Sequence, residues 1–314
     1  MKRGLVASVL VGAVLLFAFA LREHVQADEP ARTFIAHEWG VWVVDAGRVA
    51  HLDALAAECP DFVFRVPTRG RVPRIRASPV TVEKPVIFFY TNEVIENVRV
   101  RVRFRRGEPW LVWPEAVVRG RTVAWSGRIS PRTGLEGLGR VVHRGRPHPW
   151  WDQLRYAGGA LFEASGGTSE NFLFYDGAMP FRSEFTFAQN GTTWVPSRSG
   201  AEAKVWIQNG QQVLAYEVEA GQAGGQTATH PANAIISLLR EELLSRGLLR
   251  GEADSLLNAW RDDLLPPTSP RGVPDPRAIY FVDRASYDRM LPLTISPTPD
   301  ELVRVGLVIE MLRR

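Results

Sequence analysis

Short apolar or alternating runs, separated by closely spaced turn signals, fill the first two thirds of the chain. Phe34–Val44 and residues 85–91 are almost wholly apolar and aromatic, whereas residues 94–105 alternate between apolar and charged positions. Continuous apolar runs favour strands buried on both faces, and alternation favours a strand with one face in the core. Asn190-Gly191 and Asn209-Gly210 each separate two such runs, as tight hairpin turns do. These signals predict antiparallel sheets.

The period of the apolar residues changes near residue 220. Residues 232–249 and 252–265 carry apolar side chains at helical spacing and predict a helical hairpin. Thr298-Pro299-Asp300-Glu301 has the cap, proline and acids of a helix start and predicts a terminal helix, although the following LVRVGLVIEML also has strand character. The expected fold is a β-rich α+β chain: an antiparallel β-sandwich or barrel-like sheets, followed by a C-terminal helical hairpin and a terminal helix.

The N-terminal residues predict export. Lys2 and Arg3 precede an unbroken apolar run at residues 5–21, and Val25-Gln26-Ala27 places small or apolar residues where a signal peptidase cuts. The run is also near the lower length limit for a membrane-spanning helix, so an uncleaved N-terminal anchor is the alternative. Both interpretations place the body of the protein in the periplasm, at the cell surface or outside the cell.

Three regions are expected from these patterns. Residues 1–27 would be the signal peptide or anchor, residues 28–220 an antiparallel β domain, and residues 221–314 an α-rich part packed on the β domain. The apolar content of 45% is sufficient for a packed core.

Charge and cysteine content narrow the possible functions. The net charge is only +4, and charge of this size does not by itself indicate a nucleic-acid partner. Cys59 is the only cysteine, so no intramolecular disulfide can form. The sequence has no nucleophile elbow, phosphate-binding loop or dinucleotide fingerprint. These features favour a protein without a cofactor and without catalytic activity, but they leave the question of an enzyme open.

Residues 98–105, VRVRVRFR, form the sharpest chemical pattern. In a strand, Arg99, Arg101, Arg103 and Arg105 lie on one face and the apolar residues on the other. Residues 65–106 hold eleven basic and three acidic residues, so positive charge is concentrated here. One interpretation is a binding patch for an anionic glycan or another cell-envelope component. The other is a solvated sheet face paired with acidic residues of the next strand.

Trp150 and Trp151 are further candidates for ligand binding. They end a loop flanked by His143 and His148. Paired indoles beside polar groups can stack on a sugar ring, but tryptophans more often fill the edge of a core because their area is large.

A metal-dependent hydrolase centred on His37 is the alternative function. His51 and Asp53 lie two residues apart and share a face if their segment is extended, and imidazole with carboxylate suits zinc. Glu38 would point to the other face of the strand, and the H-E-x-x-H pattern is missing. The competing interpretation is a set of hydrogen-bonded residues that fix a strand and its loop. Zinc is expected only if the hydrolase interpretation holds.

Several segments resemble a family of exported bacterial proteins that carry a HEWG motif after the signal peptide. The motif here is His37-Glu38-Trp39-Gly40. The further landmarks are PDFVFR (60–65), EKPVIFFYT (83–91), VWPEA (112–116), ENFLFY (170–175), EADSLLNAW (252–260) and LPLTISPTPDELVRV (291–305). The resemblance spans nearly the whole mature length and implies membership, but it brings no catalytic residue with it. The chain departs from the family where Val41-Trp42-Val43 replaces the usual Thr-Phe-Thr.

These observations favour an exported, non-enzymatic binding or envelope-associated protein that presents an arginine-lined strand face to an anionic polysaccharide. No nucleic-acid partner is expected, and the protein would contact a membrane only through residues 5–21 if they are not cleaved.

Overall fold

The computed structural model describes residues 33–44, 58–67, 79–132, 138, 141–143, 146–148, 150–191, 193–198, 200, 202–265 and 275–312. The strands are β1 (Phe34–Val44), β2 (Phe64–Arg65), β3 (Pro79–Thr91), β4 (Ile95–Arg103), β5 (Glu108–Trp113), β6 (Val117–Arg119), β7 (Thr122–Ser130), β8 (Val142–His143), β9 (Arg146–Pro147), β10 (Leu161–Ala164), β11 (Ser169–Glu170), β12 (Leu173–Pro180), β13 (Phe185–Asn190), β14 (Thr193–Arg198), β15 (Ala203–Asn209), β16 (Gln212–Val218), β17 (Gly225–Pro231), β18 (Arg277–Phe281), β19 (Leu293–Ser296) and β20 (Glu301–Met311). The helices are α1 (Trp151–Tyr156), α2 (Ile235–Ser245), α3 (Arg250–Ala259), α4 (Arg261–Leu264) and α5 (Arg284–Met290).

Two large sheets dominate this part of the chain. The larger has ten strands in the order β17-β16-β15-β18-β20-β1-β3-β12-β5-β2, and the smaller has the order β11-β10-β7-β4-β19 with β6 beside β7. Neighbouring strands of these sheets run antiparallel except β1 and β20, which run parallel. The predicted β-rich fold with antiparallel sheets and C-terminal helices is confirmed.

The larger sheet is the middle of three layers. Strand β1 of this sheet is covered on both faces, which explains why its sequence is almost wholly apolar. Trp42 belongs to the core shared with Val100 and Trp125 of the smaller sheet. Trp39, on the other face of β1, belongs to a second core with Leu256 of α3. A strand covered on both faces needs apolar side chains at almost every position, unlike a strand with one solvated face.

The predicted terminal helix is wrong, because residues Glu301–Met311 form β20. This strand lies between β18 and β1 in the large sheet, and Val303 and Val308 face the two opposite cores. Asp300 does not start a helix: its carboxylate accepts a hydrogen bond of 2.8 Å from the Phe34 amide. An apolar, β-branched run suits this doubly buried position, and tertiary burial overrides the helix-start signal.

Strands from both sides of residue 220 share the large sheet. β15 and β16 precede this position, whereas β17, β18 and β20 follow it. The chain from Phe34 onward forms one compact unit in which α2 and α3 make the predicted helical hairpin. Residues 1–27 lie outside the described part of the chain, and the division at 220 stays a prediction. None of the described helices is long and apolar enough to cross a lipid bilayer.

Candidate functional site

Strand β4 presents a row of arginines on the outer face of the smaller sheet. Its three valines are at most 1% exposed and belong to the core between the sheets, whereas the arginines that alternate with them are exposed. The predicted alternation is therefore confirmed between residues 98 and 103. We call these three exposed residues the arginine row: Arg99, Arg101 and Arg103.

No carboxylate stands opposite the arginine row on either neighbouring strand. Its cross-strand neighbours are small or carry hydroxyls: Thr122, Ala124 and Ser126 on β7, and Thr294 and Ser296 on β19. Within the described part of the chain, no ion pair joins a guanidinium group of the row to a carboxylate. The interpretation in which acidic residues of the next strand neutralise the arginines is wrong at these positions.

Two acidic residues on this face, Glu96 and Glu163, are engaged with a different arginine, Arg128. Glu163 accepts two hydrogen bonds of 2.9 Å from Arg128, and Glu96 lies 3.8 Å from the same guanidinium group. The hydrogen bonds from Arg128 hold the pKa of the Glu163 carboxyl below its usual range. These carboxylates offset the charge of Arg128 and leave the charge of the row in place.

The three guanidinium groups are close enough to repel one another. Residues two apart in a strand are separated by about 6–7 Å, so the row extends over roughly 13 Å. The screening length at physiological ionic strength is about 8 Å, so neighbouring charges in the row are only partly screened. An anionic partner that lies along β4 would relieve this repulsion.

Arg105 does not continue the row, because β4 ends at Arg103. Arg105 lies in the bend that follows and lines a cleft of about 940 Å³. We call this the arginine cleft, and its basic residues are Arg105, Arg106, Arg182, Arg198 and Arg289. Four of these five residues were not candidates from the sequence. Arg106 was counted only as part of the basic segment 65–106, and Arg182, Arg198 and Arg289 lie far apart along the chain and outside any motif. The one general signal is that all but three of the 38 basic residues are arginine.

The structure places Trp150 and Trp151 inside the protein. They are 5% and 0% exposed, and their ring centroids lie 5.3 Å apart within an aromatic cluster that includes Phe174. The Trp151 indole donates a hydrogen bond of 3.4 Å to buried Glu170. In this arrangement the two indoles fill the core and do not form a sugar-stacking surface.

His37 is bound to a buried carboxylate on the helical side of the large sheet. The Nδ1 atom of His37 lies 2.8 Å from Oε2 of Glu252 in α3, and His37 is 4% exposed. His51 and Asp53 lie outside the described residues. In the described part of the chain, no group of three or more histidine, cysteine, aspartate or glutamate side chains could hold a metal ion.

Glu38 points to the opposite face of β1 from His37, as expected for neighbours in a strand. Glu38 is fully buried, and it accepts hydrogen bonds from Arg304 on β20 and, at 2.5 Å, from the Tyr175 hydroxyl. The Nη1 atom of Arg304 also donates a hydrogen bond of 2.6 Å to Oδ1 of Asp288. Burial alone would lower the pKa of Arg304, but adjacent Glu38 raises it above the usual range. The acidic residue of the HEWG motif therefore fixes β1 to β20.

Comparison with protein-family models, with curated proteins and with solved structures finds no match to this chain. The family membership implied by the HEWG landmarks stays a prediction, and the functional argument depends on the geometry of the arginines.

Proposed function

We propose that the protein binds an anionic polysaccharide, or another anionic component of the cell envelope, through the arginine row. The observation that carries this proposal is a set of three exposed guanidinium groups on one strand with no carboxylate opposite them. Exposed arginines without acidic partners retain their hydrogen-bond donors for a ligand, and guanidinium groups can bind carboxylate, sulfate or phosphate in bidentate geometry.

The position of the row on a central strand supports this proposal. β4 is hydrogen-bonded to β7 on one side and to β19 on the other, and its valines are held in the core. The backbone of the row is therefore ordered before any ligand arrives, which reduces the entropy lost on binding. A regular spacing of about 6–7 Å between the charges suits an extended polymer with charge along its length.

We also propose that the protein is exported from the cytoplasm. The basic residues, apolar run and cleavage-site pattern of residues 1–27 support a location in the periplasm, at the cell surface or outside the cell. Acidic polysaccharides of the envelope would be accessible to the row there. The proposed activity is binding without catalysis, and it requires neither a cofactor nor a nucleic-acid partner.

The test is the affinity of the protein for heparin and for polygalacturonate at low salt. The variant R99Q/R101Q/R103Q should bind about tenfold more weakly, because three exposed charge contacts contribute roughly 0.2–1 kcal/mol each. The matched control is R240Q/R250Q/R261Q, which removes the same number of charges from the helices α2, α3 and α4.

The two variants separate site-specific binding from an effect of net charge. The proposal expects the control to keep at least most of the wild-type affinity. Equal weakening of both variants, or no weakening of the row variant, would show that the row is not the binding surface.

A further inference from the structure

The arginine cleft has the dimensions of a small-molecule site. It lies where the bend after β4 meets the end of β12, the hairpin of β13 and β14, and α5. Its volume of about 940 Å³ is near the upper end of the range of roughly 300–1,000 Å³ in which protein pockets hold ligands.

Arg198 is the buried anchor of the arginine cleft. Its side chain is 5% exposed and is paired with Glu184, and it lies 3.8 Å from Asp283. The Nε atom of Arg198 is buried and makes no hydrogen bond within the described structure. A buried donor without an acceptor costs free energy, and Arg198, which lines the cleft, holds a fixed positive charge in its wall.

Positive charge exceeds negative charge around the cleft. Among its described lining residues, Glu184 is the only one with a carboxylate. The four arginines other than Arg198 are exposed, and within the described residues none of them takes part in an ion pair. A concave surface lined by one sign of charge concentrates the electric field and attracts ions of the opposite sign.

The remaining lining combines hydroxyls with flexible apolar side chains. The hydroxyls are those of Ser183, Thr186, Ser197 and Ser286, and Met179 and Met290 add apolar surface. Hydroxyl groups can both donate and accept hydrogen bonds, and thioether side chains adapt to irregular apolar surfaces. This combination suits a molecule with many hydroxyls and a C–H face.

We propose that the arginine cleft binds an acidic sugar, that is, a monosaccharide or short saccharide that carries a carboxylate, sulfate or phosphate group. The anionic group contacts Arg198 and the exposed arginines, and the serine and threonine hydroxyls bind the sugar. The cleft is a second site, separate from the arginine row, and its binding does not depend on the row.

Isothermal titration calorimetry with four probes tests this proposal: glucuronate, glucose 6-phosphate, inorganic phosphate and glucose. We expect one or both acidic sugars to bind more tightly than inorganic phosphate, and glucose to bind more weakly than either acidic sugar. The variant R182Q/R289Q should weaken binding of the acidic sugar by about tenfold, which corresponds to about 1.4 kcal/mol, because it removes two exposed guanidinium groups that can donate hydrogen bonds to the anionic group. Both substituted residues are exposed, so the variant should fold.

Two controls separate this site from the arginine row. R250Q/R261Q removes two charges elsewhere and should bind the acidic sugar like the wild type. R99Q/R101Q/R103Q should also keep acidic-sugar binding while it loses affinity for heparin. Loss of acidic-sugar binding in the row variant would contradict a separate cleft site, whatever its effect on heparin.

Three results would overturn the proposal. The first is the absence of detectable binding of either acidic sugar to the wild type at sugar concentrations up to about 10 mM, which corresponds to a binding free energy weaker than about −2.7 kcal/mol. The second is wild-type affinity in R182Q/R289Q. The third is equal affinity for inorganic phosphate and the acidic sugars, which would indicate a site for a bare anion.

Discussion

Arginine has two different roles in this protein, and burial separates them. Arg304, whose side chain is 1% exposed, is paired with Glu38 and Asp288, and Arg155, at 11%, is paired with Glu170 at 2.7 Å. A buried charge needs such partners because it has lost its water. The exposed arginines of the row need none, and they remain available to a ligand.

Glu184 should make acidic-sugar binding in the cleft depend on pH. Burial and a hydrogen bond with Asp283 raise the pKa of the Glu184 carboxyl, against the opposing effect of Arg198. The same hydrogen bond, followed by the hydrogen bonds from Ser286, holds the pKa of Asp283 below its usual range. Tyr280, which also lies near Glu184, has its pKa raised by burial and stays neutral. Glu310, which accepts a hydrogen bond of 2.6 Å from the Tyr280 hydroxyl, has its pKa raised by burial.

The sign of the pH effect follows from the charge of Glu184. As the pH falls through its raised pKa, Glu184 gains a proton, and the negative charge beside Arg198 is lost. Affinity for a sugar sulfate, which keeps its own charge, should therefore rise as the pH is lowered through this raised pKa, which lies above the ordinary range of a glutamate carboxyl. Binding should be accompanied by proton uptake, which calorimetry in buffers of different ionisation enthalpy measures.

The variant E184Q removes this titration and keeps a side chain of similar size. Its affinity should be nearly independent of pH and should match or exceed that of the wild type near neutral pH. A pH profile in E184Q as steep as that of the wild type would assign the effect to another group.

At the scale of the elements, Glu252 joins α3 to the central strand β1. Its Oε2 atom accepts a hydrogen bond of 2.8 Å from the Leu249 amide at the start of α3 and lies 2.8 Å from Nδ1 of His37. E252A should lower the free energy of unfolding by about 3 kcal/mol, because it leaves a buried histidine and a backbone amide without this partner.

Urea unfolding of E252A beside E241A measures this contribution. Glu241 is an exposed residue of α2, so E241A should change the free energy of unfolding by no more than about 0.5 kcal/mol. A similar small change in both variants would show that the link between His37 and Glu252 does not stabilise the fold.

The elements that could be predicted from sequence are those in which one signal dominates. β1 is an almost wholly apolar run, β4 alternates strictly from Val98 to Arg103, and the hairpins after β13 and β15 have Asn-Gly turns. Residues 298–311 carry both a helix start and a strand pattern, and only the neighbouring strands β1 and β18 decide between them. Likewise, the burial of Trp150 and Trp151 depends on the aromatic cluster that covers them, which the sequence alone does not reveal.

At the scale of the whole molecule, the two arginine sites differ in how they arise. The row is local, since its three residues lie within a single strand, and so the sequence was sufficient to predict it. The cleft combines arginines from positions as distant as 105 and 289, and no local pattern links them. The layered arrangement also explains the exposure of the row: the smaller sheet has its inner face in the core, while its outer face remains open to solvent.

Arginine-selective footprinting tests the central claim most directly. The free protein and its complex with heparin are treated with phenylglyoxal, and the modified residues are identified by mass spectrometry. Buried Arg304 should stay unmodified in both samples, and exposed Arg250 and Arg261 should react equally in both. We predict that Arg99, Arg101 and Arg103 react readily in the free protein and are protected several-fold in the complex. Equal modification of these three arginines with and without the polysaccharide would contradict the account.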